Sequence, residues 1–335
     1  MNANLVELYV SPNGDRWLLV VAANDHPVVR HVPSTASGGC SSDLSLSAFL
    51  SADDATPQQD ALLRLLSRLA FPIAGACSTV PVDVPTLHRP TGDDLLLTAA
   101  RVRTFASAQH LTNASGFFFA RDERLFLVTS RHVVNDEPSK HFPDRLDIEL
   151  HVDPHNLGAS TWFSMPLFSD GLAIWREGSD DGGSIDVAVL EIHKARLPSS
   201  AVFNAFTPEH LPKSGEAMPI GASVLIVGFP LGFHDSLHHL PVVRQGVVAS
   251  AFGLRFQGKG CFITDARTHR GTSGAPVVMS KPLKEGSAMG ESLPWTLIGV
   301  HSSTIDMGSR DFQVDETLGL NNAWYADILM TLTEH

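Results

Sequence analysis

Three side chains in this sequence are of types that together could turn a serine hydroxyl into a nucleophile. They are His132 in "LFLVTSRHVV", Asp186 in "GGSIDVAVLEI" and Ser273 in "HRGTSGAPVV". A serine hydroxyl attacks poorly at neutral pH. It needs a base within hydrogen-bond reach, and the base needs a group to orient it. Taken singly, each residue is commonplace: a turn histidine, an aspartate at a strand entrance, a serine in a tight turn. What they share is context. His132 follows an apolar strand at a turn, Asp186 opens a second apolar strand, and Ser273 precedes a third, with Gly271 and Gly274 near it.

Such groups need a scaffold, and the chain is long enough to build one. Its 335 residues are 43% hydrophobic and 18% charged, with 26 glycines and 21 prolines, a globular and turn-rich composition. After Asp94, short strand-like runs recur with turn residues between them: "GFFFAR", "RLFLVTS", "RLDIELHV", "DVAVLEI", "SVLIVGFP", "VVRQGVVAS", "GCFITDA", "GAPVVMS" and "WTLIGVHSS". This pattern predicts a large all-β domain, barrel or sandwich, over residues 95–335. The segment "NNAWYADILMTL" has apolar residues at helical spacing and is expected to form a closing helix.

Upstream, "SPNGD" separates two strand-like runs, Leu5 to Val10 and Trp17 to Ala23, and "PVVRHV" offers a third. "TPQQDALLRLLSRLAF" reads as a helix with Thr56 as N-cap and Pro57 in its first turn. Residues 1–72 are therefore expected to form a small α+β module. Residues 73–94, with their prolines and glycines and no sustained period, are expected to be a linker.

The order His132, Asp186, Ser273 in these contexts resembles the chymotrypsin/trypsin-like serine peptidases, in particular the bacterial and viral branches and the Deg/HtrA group. The resemblance runs from about Leu95 to Leu332 and rests on "TSRHVV", "DVAVLEI", "FITDARTHRGTSGAPVV" and "VLIVGFPLG" followed by "RQGVVAS". It implies a mainly β fold of two six-stranded antiparallel β-barrels with a C-terminal helix, preceded here by the small α+β module. The site would lie in the cleft between the barrels. Ser273 would be the nucleophile, His132 the general base and acid, and Asp186 the orienting carboxylate. The backbone N–H groups of Gly271 and Ser273 would form the oxyanion hole.

The same resemblance implies a substrate pocket lined by the segment before Ser273 and by "LIGVHSS". Arg267, six residues before Ser273, stands where an acidic residue would imply cleavage after Lys or Arg. His301 in "IGVHSS" resembles a histidine that bacterial glutamyl endopeptidases and picornaviral main proteases turn toward a Glu or Gln side chain. With Arg267 it implies a preference for Glu, Asp or Gln on the acyl side of the bond. The competing placement is a strand histidine pointing into the core or the barrel surface, and an arginine facing solvent or pairing with Asp265.

Other function classes fit less well. An α/β-hydrolase esterase would carry G-x-S-x-G, with acid and histidine following the serine. Here the motif is "GTSGA" and both partners precede it. Among 16 histidines, "HVDPH" (His151, His155) and "FHDSLHHL" (His234, His238, His239) lack a paired-ligand motif, so no metal and no other cofactor is expected. A net charge of −12 without a basic block argues against nucleic acid. Three widely spaced cysteines, no basic leader and no run of about 18 apolar residues suggest neither a disulfide framework, nor secretion, nor a membrane span. The expected location is cytoplasmic. No "IVGG"-like new N-terminus and no PDZ sequence after the peptidase segment is seen, so regulation is expected through a protein partner of residues 1–72. The alternative to an active endopeptidase is a latent or inactive binding protein on the same fold, switched on by such a partner.

Overall fold

Short apolar runs broken by turn residues predict strands, and strands are what the chain forms. The computed structural model describes residues 4–21, 27–35, 39–50, 58, 59, 61, 62, 65, 93–213, 216, 218–281, 293–304 and 319–334. Two compact units are distinguished. One comprises Met1–Arg89, His151–Ser160 and Leu237–His239, the other Pro90–Leu150, Thr161–Ser236 and Leu240–His335.

In the first unit, strands β1 (Asn4–Val10), β2 (Arg16–Val21), β3 (Val28–Val32) and β4 (Ser42–Ser45) form an antiparallel sheet in that order, followed by the short helix α1 (Leu46–Leu50). The "SPNGD" turn closes as its residues dictate, with the Gly14 N–H donating to the Ser11 carbonyl at 2.9 Å. Leu19, Val29, Leu44, Phe49 and Leu62 make the core. Of the expected helix from Thr56, Gln58, Gln59, Ala61, Leu62 and Leu65 are helical, and its other residues lie outside the described ones. So does the expected linker, except Asp93 and Asp94, which open the short helix α2 (Asp93–Leu96).

The second unit begins with β5 (Ala99–Ala106), β6 (Gln109–Arg121) and β7 (Arg124–Thr129), followed by the single turn α3 (Arg131–Val134). Next come β8 (Arg145–His151), β9 (Ser160–Pro166), the small hairpin β10 (Phe168–Ser169) and β11 (Leu172–Ala173), β12 (Trp175–Asp180) and β13 (Gly183–Ile192). Apart from the β10–β11 hairpin, these hydrogen-bond as a seven-stranded sheet in the order β12-β13-β7-β6-β5-β8-β9. The ladder does not join β9 to β12. Even so, side chains from β5, β6, β7, β8, β9 and β13 meet in one core, so the sheet is rolled around them.

The remaining strands are β14 (Ser223–Gly228), β15 (Val242–Val248), β16 (Cys261–Asp265), β17 (Pro276–Ser280), β18 (Trp295–Thr304) and β19 (Leu320–Tyr325). They close a six-stranded barrel, β14-β15-β16-β19-β18-β17. The expected helix over "NNAWYADILMTL" is thus corrected. Its first half is β19, paired with both β16 and β18, and only Ile328–Leu332 is helical (α4). Without β19 those two strands would each present an unpaired edge, and filling both edges outweighs the helical spacing of the side chains.

The run "GFFF" shows why β6 is apolar on both faces. Phe118 enters the core inside the rolled sheet, with Leu125, Leu127 and Leu190. Phe117 and Phe119 face the other way, into a core shared with Val227, Cys261, Val278, Leu297 and Trp324 of the barrel. Each fully buried Phe contributes roughly 1.5–3 kcal/mol. Both faces of β6 are therefore committed, and the sheet and the barrel pack against each other. Arg121 adds a polar tie, donating to the Met330 carbonyl at 2.5 Å and the Thr333 hydroxyl at 3.2 Å. Among the described residues no helix is long and apolar enough to cross a membrane.

Candidate active site

β7 runs into the site and then turns. Thr129 and Ser130 are fully buried, and Val133 and Val134 anchor α3, which leaves His132 partly buried at the edge of the sheet. Thr129 pairs with Ala188 of β13. Antiparallel register therefore brings Asp186, two residues earlier on β13, beside the turn that carries His132. The Asp186 carboxylate accepts the backbone N–H of His132 at 2.9 Å and lies 2.7 Å from its Nδ1. A carboxylate can only accept, so Nδ1 carries the hydrogen and Nε2 is left as the acceptor.

Burial pushes the Asp186 carboxyl up, but hydrogen bonds from His132, its charge and the Ser302 hydroxyl outweigh it, and the net shift is down. Burial likewise opposes a charged His132, yet the bond to Asp186 and that carboxylate's charge prevail, and its pKa is raised. The pair is therefore arranged to stabilise an imidazolium.

Ser273 sits in the tight loop before β17. Gly271 and Gly274 adopt φ of 91° and 85°, in the left-handed region. Gly274 is also crowded: a Cβ there would lie 2.3 Å from the Ser115 carbonyl oxygen and 2.4 Å from Thr129 Oγ1. Two carbonyls of this loop are held, one by a group outside it and one across the loop's own turn. The Arg270 carbonyl accepts Leu231 N–H at 2.5 Å, and the Thr272 carbonyl accepts Ala275 N–H at 3.0 Å. In a trans peptide the N–H points opposite the carbonyl. The N–H groups of Gly271 and Ser273 are thereby turned away from those partners, and among the described residues neither has an internal acceptor.

The Ser273 hydroxyl donates to the Ser302 carbonyl at 3.0 Å and makes no hydrogen bond to His132. Ser302 itself is buried, and its hydroxyl donates to Asp186. Sequence reasoning missed Ser302. Its hydroxyl was legible in "HSS", but its second contact is a main-chain carbonyl, which any residue would supply.

His301 and Arg267 part company. His301 on β18 is 2% exposed, with the Nδ1 atom buried and unpartnered. Burial, with the neighbouring His132, lowers its pKa to about 3, so the ring is neutral at ordinary pH. Its backbone braces the Ser273 loop: the His301 carbonyl accepts Gly274 N–H at 2.8 Å, and its N–H donates to the Ala275 carbonyl at 2.9 Å. Arg267 is exposed and makes no ion pair with Asp265 or any other described residue.

Of the other histidines, His151 donates to the His238 carbonyl at 2.8 Å. The Arg101 guanidinium reaches both Glu149, at 3.2 Å, and His234, at 3.0 Å.

A closed antiparallel barrel packed on a rolled sheet, with Asp186 bonded to His132 and linked through Ser302 to Ser273, defines a chymotrypsin-like peptidase fold. The chain belongs to the trypsin-like peptidase domain family, whose model matches residues 114–281. That span contains His132, Asp186 and Ser273 and ends before His301. No curated protein matches the chain. Among solved structures it is similar to the serine endoprotease from Yersinia pestis, at 18% identity and a TM-score of 0.42, over 74% of this chain and 66% of that one. It is also similar to an inactive mutant form of Rv3671c from M. tuberculosis H37Rv (14% identity, TM-score 0.39, 76% and 95%). A third is the scabies mite inactivated protease paralogue S-I1 (17%, 0.41, 71% and 92%). The chain spans just under two thirds of the length of the Yersinia structure.

Proposed function

We propose that this chain is a serine endopeptidase. The observation that carries the reading is the doubly bonded His132–Asp186 pair, linked through Ser302 to Ser273, whose loop holds two N–H groups without an internal acceptor. In the reaction, Ser273 Oγ attacks the scissile carbonyl and its proton passes to His132 Nε2. The carbonyl oxygen, now negative, is held by the N–H groups of Gly271 and Ser273. The C–N bond then breaks, His132 returns the proton to the leaving amine, and water attacks the acyl-enzyme by the same route. Each oxyanion donor is worth about 2.7–4 kcal/mol of barrier. The test is a fluorophosphonate probe followed by peptide mapping. Phosphonylation of Ser273, lost in His132→Ala, supports the reading, and folded protein that takes no label at Ser273 refutes it.

One observation favours the latent alternative: the Ser273 hydroxyl is committed to Ser302 rather than to His132. Attack then needs a rotation about the Ser273 side chain, driven by substrate or by a partner bound to residues 1–72. Labelling that begins only when a bound peptide or partner is added would select this reading.

We also propose the finer preference for Glu, Asp or Gln on the acyl side. Its support is the buried, unpartnered Nδ1 of His301. Being neutral, the ring would act by hydrogen bonding rather than by charge, and Arg267, exposed to solvent, is the weaker member of the pair.

A further inference from the structure

We propose that Ser115 is a positioning residue whose buried hydroxyl, acting with the Leu231 N–H on the neighbouring peptide, fixes the direction of the oxyanion-hole N–H of Gly271. This rests on the peptidase reading above. Ser115 lies on β6 and is fully buried. Its backbone N–H donates to the Ser273 carbonyl at 3.0 Å. Its own carbonyl accepts the Thr129 hydroxyl at 2.8 Å, three residues before His132. Its hydroxyl donates to the Gly271 carbonyl at 2.8 Å and accepts Phe229 N–H at 2.9 Å. One residue thus touches the strand leading to the base, the nucleophile and the oxyanion loop.

The backbone bonds could be made by any residue, whereas the hydroxyl is specific to serine. Gly271 is the softest point of the loop because glycine at φ 91° resists little rotation. The peptide on its N-terminal side is fixed by Leu231 N–H on the Arg270 carbonyl. The peptide on its C-terminal side is held at its carbonyl by Ser115 Oγ and at its Thr272 N–H by the His269 carbonyl, at 3.1 Å. With both flanking carbonyls pinned, the Gly271 N–H has one direction left. Space is reserved for this hydroxyl, since a Cβ on Gly228 would lie 2.7 Å from it.

Ser115→Ala keeps both backbone bonds and removes only the hydroxyl's two. Peptide turnover by Ser115→Ala is expected to show kcat lowered about 10- to 100-fold and KM changed less than about 3-fold, because the lost stabilisation exists only in the transition state. Affinity for a peptide aldehyde, which forms a tetrahedral adduct on Ser273, should fall in parallel. Binding of an uncleavable peptide of the same sequence to the Ser273→Ala form should not change when Ser115→Ala is added. A folded Ser115→Ala with parental kcat and aldehyde affinity overturns the proposal. Equal losses for aldehyde and uncleavable peptide also overturn it, since that is the signature of general loosening. If Ser115→Ala does not fold, Ser115→Cys, similar in shape and a weaker donor, should give a smaller loss of the same kind, and parental kcat in it overturns the proposal. A parent chain that neither hydrolyses peptides nor labels at Ser273 removes the peptidase reading and this inference together. An active parent with an unaffected Ser115→Ala removes this inference alone.

Discussion

The Ser302 main-chain carbonyl holds the Ser273 hydroxyl at 3.0 Å, while the Ser302 side chain donates to Asp186. Ser302→Ala separates these contacts, because it deletes the second and keeps the first. With one donor fewer, Asp186 interacts more strongly with His132, so the His132 pKa should rise further. The acid limb of the kcat/KM profile should move to higher pH, with kcat down by about 10-fold, or about 1.4 kcal/mol. An unmoved limb would show that Asp186 does not depend on Ser302.

Asp186→Asn should leave the fold and lower kcat by about 10⁴-fold, because the amide no longer selects the tautomer with hydrogen on Nδ1. Its stability cost should depend on pH. The raised His132 pKa contributes stability that is full below the unfolded value of about 6.5 and is lost as pH rises through the folded one. The lowered Asp186 pKa contributes above about 3.9 and is lost as pH falls through its folded value. The Tm deficit of Asp186→Asn should therefore be larger at about pH 5 than at about pH 8. A deficit that grows toward pH 8 would contradict the charge arrangement.

Gly271→Ala places a Cβ 2.7 Å from the Phe229 carbonyl oxygen at a φ of 91°. The peptide must rotate to relieve this, and a drop in kcat of about 10²- to 10³-fold is expected, as for loss of an oxyanion donor. Gly274→Ala meets rigid backbone at 2.3 Å and should instead damage folding, by about 3 kcal/mol or more in a urea titration. Exchange of these two outcomes would mean the roles of the two glycines are reversed.

A peptide-library profile tests the pocket. The parent should favour Glu, Asp or Gln on the acyl side, His301→Ala should flatten that preference, and Arg267→Ala should change it little. The same profile in parent and His301→Ala would leave His301 as a core residue only.

Legibility followed how directly the chemistry sits in side chains. Strand runs such as "LFLVTS" and "DVAVLEI" were readable because burial on both faces demands continuous apolar residues. His132 and Asp186 stood out by their place at the ends of those runs, and register then brings them to 2.7 Å. What stayed hidden was set by pairing. Residues 320–325 fit a helix by spacing until two open edges claimed them as β19. Ser302 and Ser115 act partly through main-chain atoms, which carry no residue identity. Arg267 enters the pocket reading by position alone, and nothing in one dimension distinguishes it from a solvent-facing arginine.

The insertion of β19 between β16 and β18 also orders events in time. A ribosome delivers His132 and Asp186 early and Ser273 much later, yet the barrel that frames Ser273 cannot close until Leu320–Tyr325 has emerged. A chain still being synthesised therefore carries His132, Asp186 and even Ser273 before the barrel around Ser273 is closed. On the proposed peptidase reading, topology itself delays activity until β19 is in place.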